Sequence, residues 1–184
     1  GNFGNLTAGM FAKEMGLPIA RFIGATNAND VVPEYLRTGV YKARPSIPTI
    51  SNAMDIGDPS NFVRILELHG GNWEKVKESM VGYAFSDEET KEGMLDVISR
   101  TGYLMEPHGV IGYMAVKEYQ KNNDVQGVVL ETAHPAKFGD VVEPVIGQKV
   151  EVPERLQEYM RRQKVATLIQ PDFDEFKQYL LQRG

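Results

Sequence analysis

An α/β fold, with a largely parallel sheet flanked by helices, follows from three features of the sequence. Candidate strands and helices alternate through most of its length. The run Gly127-Val128-Val129-Leu130-Glu131-Thr132 has an uncharged Val-Val-Leu centre, of the kind a parallel sheet covers on both faces. Hydrophobic residues make up 42% of the 184 residues and charged residues 24%, enough apolar surface for a sizeable core without staples.

Each element has its own local warrant. Gly1-Asn2-Phe3-Gly4-Asn5 is a glycine-rich turn with no strand before it. Leu6, Met10, Phe11 and Met15 then recur at helical spacing, and Gly16-Leu17-Pro18 closes that helix. This opening reads as a ligand loop and a helix start cut from a longer polypeptide. Arg21–Ala25 is a short strand, and Asp30 can cap a helix running through Leu36. Residues 40–50 hold two prolines, Pro45 and Pro48, and read as loop. Pro59 opens a helix that Gly70-Gly71 stops, and a second short helix runs from Asn72 or Trp73 to about Val81. Ser86-Asp87-Glu88-Glu89 is a capping box, and Gly102 ends the helix it starts. Tyr103–Glu106 has the length and content of a strand. A helix over about 108–121, the strand 127–132, and helices over 137–146, 154–164 and from Asp172 complete the chain. The soft stretch from Val145 to Pro153 divides it into a main domain, residues 1–146, and a helical extension, residues 147–184, expected to pack on it.

Composition excludes several functions. With no cysteine, disulfides, thiolate metal sites and cysteine nucleophiles are ruled out, which fits a reducing, cytoplasmic setting. The net charge of −5 lacks the basic footprint of a nucleic-acid binder. No apolar run approaches the roughly 20 residues that span a bilayer. The three histidines lack metal-ligand spacing, so no metal site is expected, and no serine sits in a nucleophile elbow.

What remains points to a phosphate. Gly1 and Gly4 let the backbone turn sharply, and the helix that follows aims unpaired N–H groups and its positive dipole end at the same spot. Asn2 and Asn5 add amide donors. The plain alternative is an ordinary strand-to-helix turn. The pattern is neither the dinucleotide fingerprint nor a P-loop. Thr132 ends the best strand, where ligands of open α/β sheets collect, and its hydroxyl can face a ring nitrogen without imposing a charge. His134 reads as a local hydrogen-bonding residue, His69 as a helix-end residue, and His108 as either a cap or a site residue. Lys137 is either a solvated helix-start residue or a phosphate contact. Asp30 and Asp55 either line a site or serve as caps and Asx turns.

Six blocks, in order, resemble the threonine synthase family: Gly-Asn-Phe-Gly-Asn-Leu-Thr-Ala-Gly (1–9), Phe-Ile-Gly-Ala-Thr-Asn-Ala-Asn-Asp-Val-Val-Pro (22–33), Thr-Ile-Ser-Asn-Ala-Met-Asp (49–55), Pro-Ser-Asn-Phe (59–62), Glu-Pro-His-Gly-Val-Ile-Gly-Tyr (106–113) and Thr-Ala-His-Pro-Ala-Lys-Phe (132–138). The resemblance implies a carboxyl-terminal part of a pyridoxal 5'-phosphate enzyme of fold type II. Members convert O-phosphohomoserine and water to threonine and phosphate, a β,γ-replacement. It implies that Gly1, Asn2, Phe3, Gly4 and Asn5 cradle the cofactor phosphate and that Thr132 faces the pyridine nitrogen. Asn27, Asp30, Ser51, Asn52, Asp55 and Lys137 are the candidate substrate contacts. The family's Schiff-base lysine lies upstream of the glycine loop, and no lysine here matches it. The chain alone is therefore expected to be inactive, with the N-terminal part of the same polypeptide as its partner. Two other readings fit parts of the pattern: a related phospholyase that only eliminates phosphate, and a non-catalytic phosphate-binding module.

Overall fold

The computed structural model describes residues 1–182 and divides the chain into two compact units, with the boundary after Val150. The division falls later than the expected 146 because Val150 belongs to the first unit's core. It is 9% exposed, and Glu143 accepts its N–H at 3.1 Å.

The first unit begins with α1 (Gly4–Glu14), β1 (Phe22–Thr26) and α2 (Val31–Thr38). There follow a 3-10 turn at Asn52–Met54, α3 (Phe62–Leu68), α4 (Trp73–Ser79) and β2 (Met80–Ala84). Then come α5 (Asp87–Thr101), α6 (Pro107–Gln120), a 3-10 turn at Pro135–Phe138 and α7 (Gly139–Ile146). β1 and β2 pair in parallel, with Phe22 opposite Met80 and Thr26 opposite Ala84. The residues read as the end of a helix at 80–81 are thus the start of a strand. Gly82 explains part of this, because a Cβ there would lie 2.9 Å from Pro33 Cα. The bare backbone lets α2 cross the strand closely.

Two apolar clusters hold this unit together. Phe3, Met10, Phe22, Tyr35, Phe62 and Ile65 belong to the first, around α1–α4 and the sheet. Tyr35 and Phe62 meet edge-on at 5.2 Å, a favourable ring geometry. Met94, Val97, Val110 and Val142 form the second, between α5, α6 and α7. Val110 and Met94 are fully buried, and burying a side chain of this kind stabilises by about 1.5–3 kcal/mol. Ser86 and Glu89 form the expected capping box of α5.

Two expected strands are not strands. Tyr103–Glu106 leads as a loop into α6, with Tyr103 exposed and Glu106 taken up as the helix cap. Residues 127–132 are extended but have no strand beside them among the described residues. Instead the stretch lies antiparallel along α6. Cβ atoms added at Gly127, Gly112 and Gly109 would press on Val116, Val129 and Glu131 in turn. Alternate residues therefore face the helix, while Val128 and Leu130 stand outward, 77% and 65% exposed.

In the second unit lie α8 (Glu154–Met160) and α9 (Phe173–Leu181). α8 stops short of the expected 164. Asp172 caps α9 by accepting the Glu175 N–H at 2.9 Å. Neither helix has a buried residue.

Candidate functional site

The glycine loop lies at the carboxyl end of β1. Gly9 on α1 is against the Phe22 ring, while the Phe3 ring approaches Gly24, so α1 runs antiparallel to the strand. Its N-terminus therefore lies where ligands of parallel sheets collect. Phe3 is the sole non-glycine residue with positive φ among the described residues, at 58°. This left-handed conformation costs on the order of 1–2 kcal/mol. It is held because the ring is buried and the Phe3 carbonyl accepts both the Thr7 N–H and the Thr7 hydroxyl, at 2.9 and 2.7 Å.

A left-handed residue followed by right-handed ones turns successive N–H groups into one concave patch, a nest for an anion. No side chain caps α1, its first turn carries no acid, and Gly4 and Asn5 are exposed. Asn2 is fixed beside it. Its Oδ1 accepts from Ser60 N and Oγ at 2.8 and 3.1 Å, and its carbonyl accepts from Asn61 Nδ2 at 3.0 Å. That leaves the Asn2 amide N–H pair to donate. A Cβ on Gly4 would meet only Asn61 Nδ2, at an ordinary 3.6 Å, so the fold itself leaves room above this glycine.

Beside the loop is a polar cluster built on the residues after β1. Asn27 Nδ2 donates to Thr49 Oγ1, Ser51 Oγ and Asp55 Oδ1 at 3.0, 2.9 and 2.9 Å. Asn29, which the sequence reading did not single out, donates to Asp55 at 3.2 Å and binds both the N–H and the C=O of Ile47. The cluster borders the loop, with Asp55 near enough to Gly1 for its charge to be felt there. Asn27, Ser51 and Asp55 are thus brought together, with Asn27 and Ser51 buried.

The other candidates stand apart from that network. Asp30 stands at the N-cap of α2 as its position suggested, but its side chain makes no cap bond and pairs with Arg44 instead. Asn52 is exposed in its 3-10 turn, and Lys137 is exposed in another. Thr132 is exposed at the end of the extended stretch, and its hydroxyl makes no hydrogen bond among the described residues. His134 behaves as the local residue expected, its Nδ1 accepting the Ala136 N–H at 3.1 Å. His69 Nδ1 lies 2.7 Å from the Ile65 carbonyl at the end of α3. His108 lies against the Glu106 carboxylate at the start of α6, a pairing that a two-residue spacing does not announce.

A family model described as pyridoxal-phosphate dependent enzyme matches residues 1–131. The chain belongs to that family. A second model, described as threonine synthase, C-terminal, matches residues 110–180. A threonine synthase of Haemophilus influenzae is 42% identical over 98% of this chain, and one of Escherichia coli is 43% identical over 86%. The chain spans about 42% of the length of the Haemophilus relative and 36% of the Escherichia one. The crystal structure of Escherichia coli threonine synthase superposes with a TM-score of 0.87 at 38% identity, over 100% of this chain and 42% of that one. The PLP-bound threonine synthase of Brucella melitensis gives 0.80 at 33% identity, over 98% and 44%.

The family's cofactor is pyridoxal phosphate, and the residues here suit its phosphate end. The nest of N–H groups at Gly4 and Asn5 offers donors and a positive dipole without a competing carboxylate. The space over Gly4 is open to a group that a side chain would displace. Among the described residues, no helix is long and apolar enough to cross a membrane.

Proposed function

We propose that this chain is the carboxyl-terminal part of a cytoplasmic threonine synthase, which converts O-phosphohomoserine and water to threonine and phosphate. The uncapped, left-handed start of α1 is the observation that carries this reading. Phe3 pays local strain to form an anion nest, and an ordinary turn would have no use for it. Gly1, Phe3, Gly4 and Asn5 would hold the cofactor phosphate through backbone N–H groups, with Asn2 adding its amide donors.

Pyridoxal phosphate, when bound, supplies a ring that takes up negative charge from the reacting substrate. Thr132 would face the pyridine nitrogen with a neutral hydroxyl, which neither imposes nor removes a proton there. Asn27, Ser51 and Asp55 would shape the substrate side as a preorganised polar wall. Asp30, Asn52 and Lys137 would stand at its rim, the lysine as a counter-charge to the substrate phosphate. The covalent lysine would come from the N-terminal part of the same polypeptide, and this chain by itself would be inactive.

Thr132→Val in the full-length protein tests this. The hydroxyl has no hydrogen-bond partner among the described residues, so the melting temperature should stay within about 2 °C. Cofactor affinity should fall about two- to tenfold, the worth of one neutral hydrogen bond. Turnover of O-phosphohomoserine should fall further, because the ring must stabilise charge that develops only during reaction. Equal turnover per cofactor-loaded site would refute the role of Thr132. Phosphate release without threonine from the unmodified protein would refute the reaction and favour a phospholyase.

A further inference from the structure

Two carboxylates meet at the start of α6. The Glu106 side chain is fully buried and accepts from the N–H groups of His108 and Gly109 at 3.0 and 2.8 Å. His108 Nδ1 makes a third contact with it. Glu131 arrives from the extended stretch, and its Oε1 accepts the Glu106 N–H at 3.3 Å. A Cβ on Gly109 would lie 2.8 Å from the Glu131 carboxyl, so this docking needs a glycine at the third helical position. Among the described residues, Glu131 Oε2 and His108 Nε2 are the buried side-chain polar atoms with no hydrogen-bond partner.

Two such groups cannot both stay charged at one point without cost, since each has lost water and each repels the other. Glu106 has three donors and Glu131 has one, with its Oε2 unpartnered, so Glu131 is the less well supported of the two as an anion. Burial pushes the Glu131 carboxyl above the ordinary carboxylate range. The Glu106 carboxylate pushes the same way, and the Glu106 N–H bond opposes both. The titratable groups around Glu131 both come from α6: Glu106 directly, and His108 through Glu106. From the turn after it, Phe138 supplies an uncharged ring, 4.7 Å from the His108 ring.

Glu131 faces α6, and Thr132, one residue on, faces away and is exposed. We propose that Glu131 is a positioning residue: as a neutral carboxylic acid, it clasps the end of the 127–132 stretch to the N-terminus of α6 and thereby aims the Thr132 hydroxyl at the bound cofactor ring. The inference rests on the reading of Thr132 above. Ionising Glu131 would set it against Glu106 and loosen the clasp.

The test uses the full-length protein with Glu131→Gln, which keeps size and neutrality, and Glu131→Ala, which removes the clasp. The first readout is the melting temperature of the cofactor-free protein against pH. A carboxyl held above its unfolded value, about 4.5, stabilises fully below that value and loses the contribution as pH rises through its folded value. Unmodified protein should therefore lose stability relative to Glu131→Gln as pH rises from about 4.5 upward. Parallel pH curves for the two would overturn the neutral acid. The second readout is cofactor affinity by fluorescence titration. Glu131→Gln should bind like the unmodified protein, and Glu131→Ala about three- to tenfold more weakly. In a Thr132→Val background the alanine substitution should cost nothing more. The same loss in both backgrounds would overturn the positioning role. Failure of the Thr132 reading itself would appear separately, as a Thr132→Val protein with unchanged affinity and turnover, while the cofactor-free pH comparison still decides the state of Glu131. If the alanine variant does not fold, the Glu131→Gln comparison decides.

Discussion

Replacing Asn27 by alanine removes the amide around which the polar cluster beside β1 is organised. Its Nδ2 feeds Thr49, Ser51 and Asp55, and its Oδ1 accepts from Asn29 N and Nδ2, both at 3.0 Å. The loss is not uniform. Asp55 would keep Thr49 N, Thr49 Oγ1 and Asn29 Nδ2, at 2.9, 2.7 and 3.2 Å. The Thr49 and Ser51 hydroxyls would keep each other at 3.1 Å. The backbone N–H of Asn29, a residue only 6% exposed, would lose its Asn27 acceptor. One stranded donor costs about 1–3 kcal/mol, and the other lost bonds about 1 kcal/mol together, for a total of about 2–4 kcal/mol. In a protein of this size that lowers the melting temperature by about 5–15 °C. Asn27→Asp should be worse at neutral pH, because it sets a second carboxylate where the amide now donates to Asp55 at 2.9 Å. Its deficit should shrink as pH falls and one of the two carboxyls takes a proton. Thermal melts between pH 5 and 8 read both effects. Variants melting within about 1 °C of the unmodified protein would refute this account of the cluster.

Gly4→Val should leave the fold largely intact, since the position has room for a Cβ, while weakening cofactor binding at least tenfold because the side chain takes the phosphate's place. Unchanged affinity in a spectroscopic titration would show that the loop does not hold the phosphate. Ser86→Ala removes the acceptor of the Glu89 N–H, at 3.2 Å, and the reciprocal bond loses its frame, so about 1 kcal/mol of stability should go with no change in cofactor affinity. Urea titration with an unaltered midpoint would contradict that.

Much of the helical framework could be read from residue order because its determinants are local. Ser86 and Glu89 sit three apart and find each other across one turn, and Gly102 closes the same helix in the left-handed conformation that glycine permits. Strands are another matter, since a strand exists only where another chain segment pairs with it. Met80 and Val81 looked like a helix end, yet they open a strand beside β1 because Phe22 to Thr26 offer a ladder. Gly127–Thr132 has the composition of a central strand, and its alternate residues do separate into two faces. Without a neighbour among the described residues it stays an extended ribbon laid along α6.

The site divides along the same line. The glycine loop was legible because a short sequence sets its geometry, although the left-handed residue is Phe3 and not either glycine. That placement follows from packing: the Phe3 ring must reach Gly24 across the sheet while its own backbone turns into α1, and no local pattern encodes both. Asn29 went unread for the same reason, since its partners Ile47 and Asp55 lie 18 and 26 positions away. Glu131 stands at the end of an apolar run, where a charge is ordinarily solvated. Brought against a buried helix cap, its carboxyl is pushed above the ordinary carboxylate range, chiefly by burial. Its neighbour Thr132 gains a direction from that contact, because in an extended chain fixing one side chain inward fixes the next one outward.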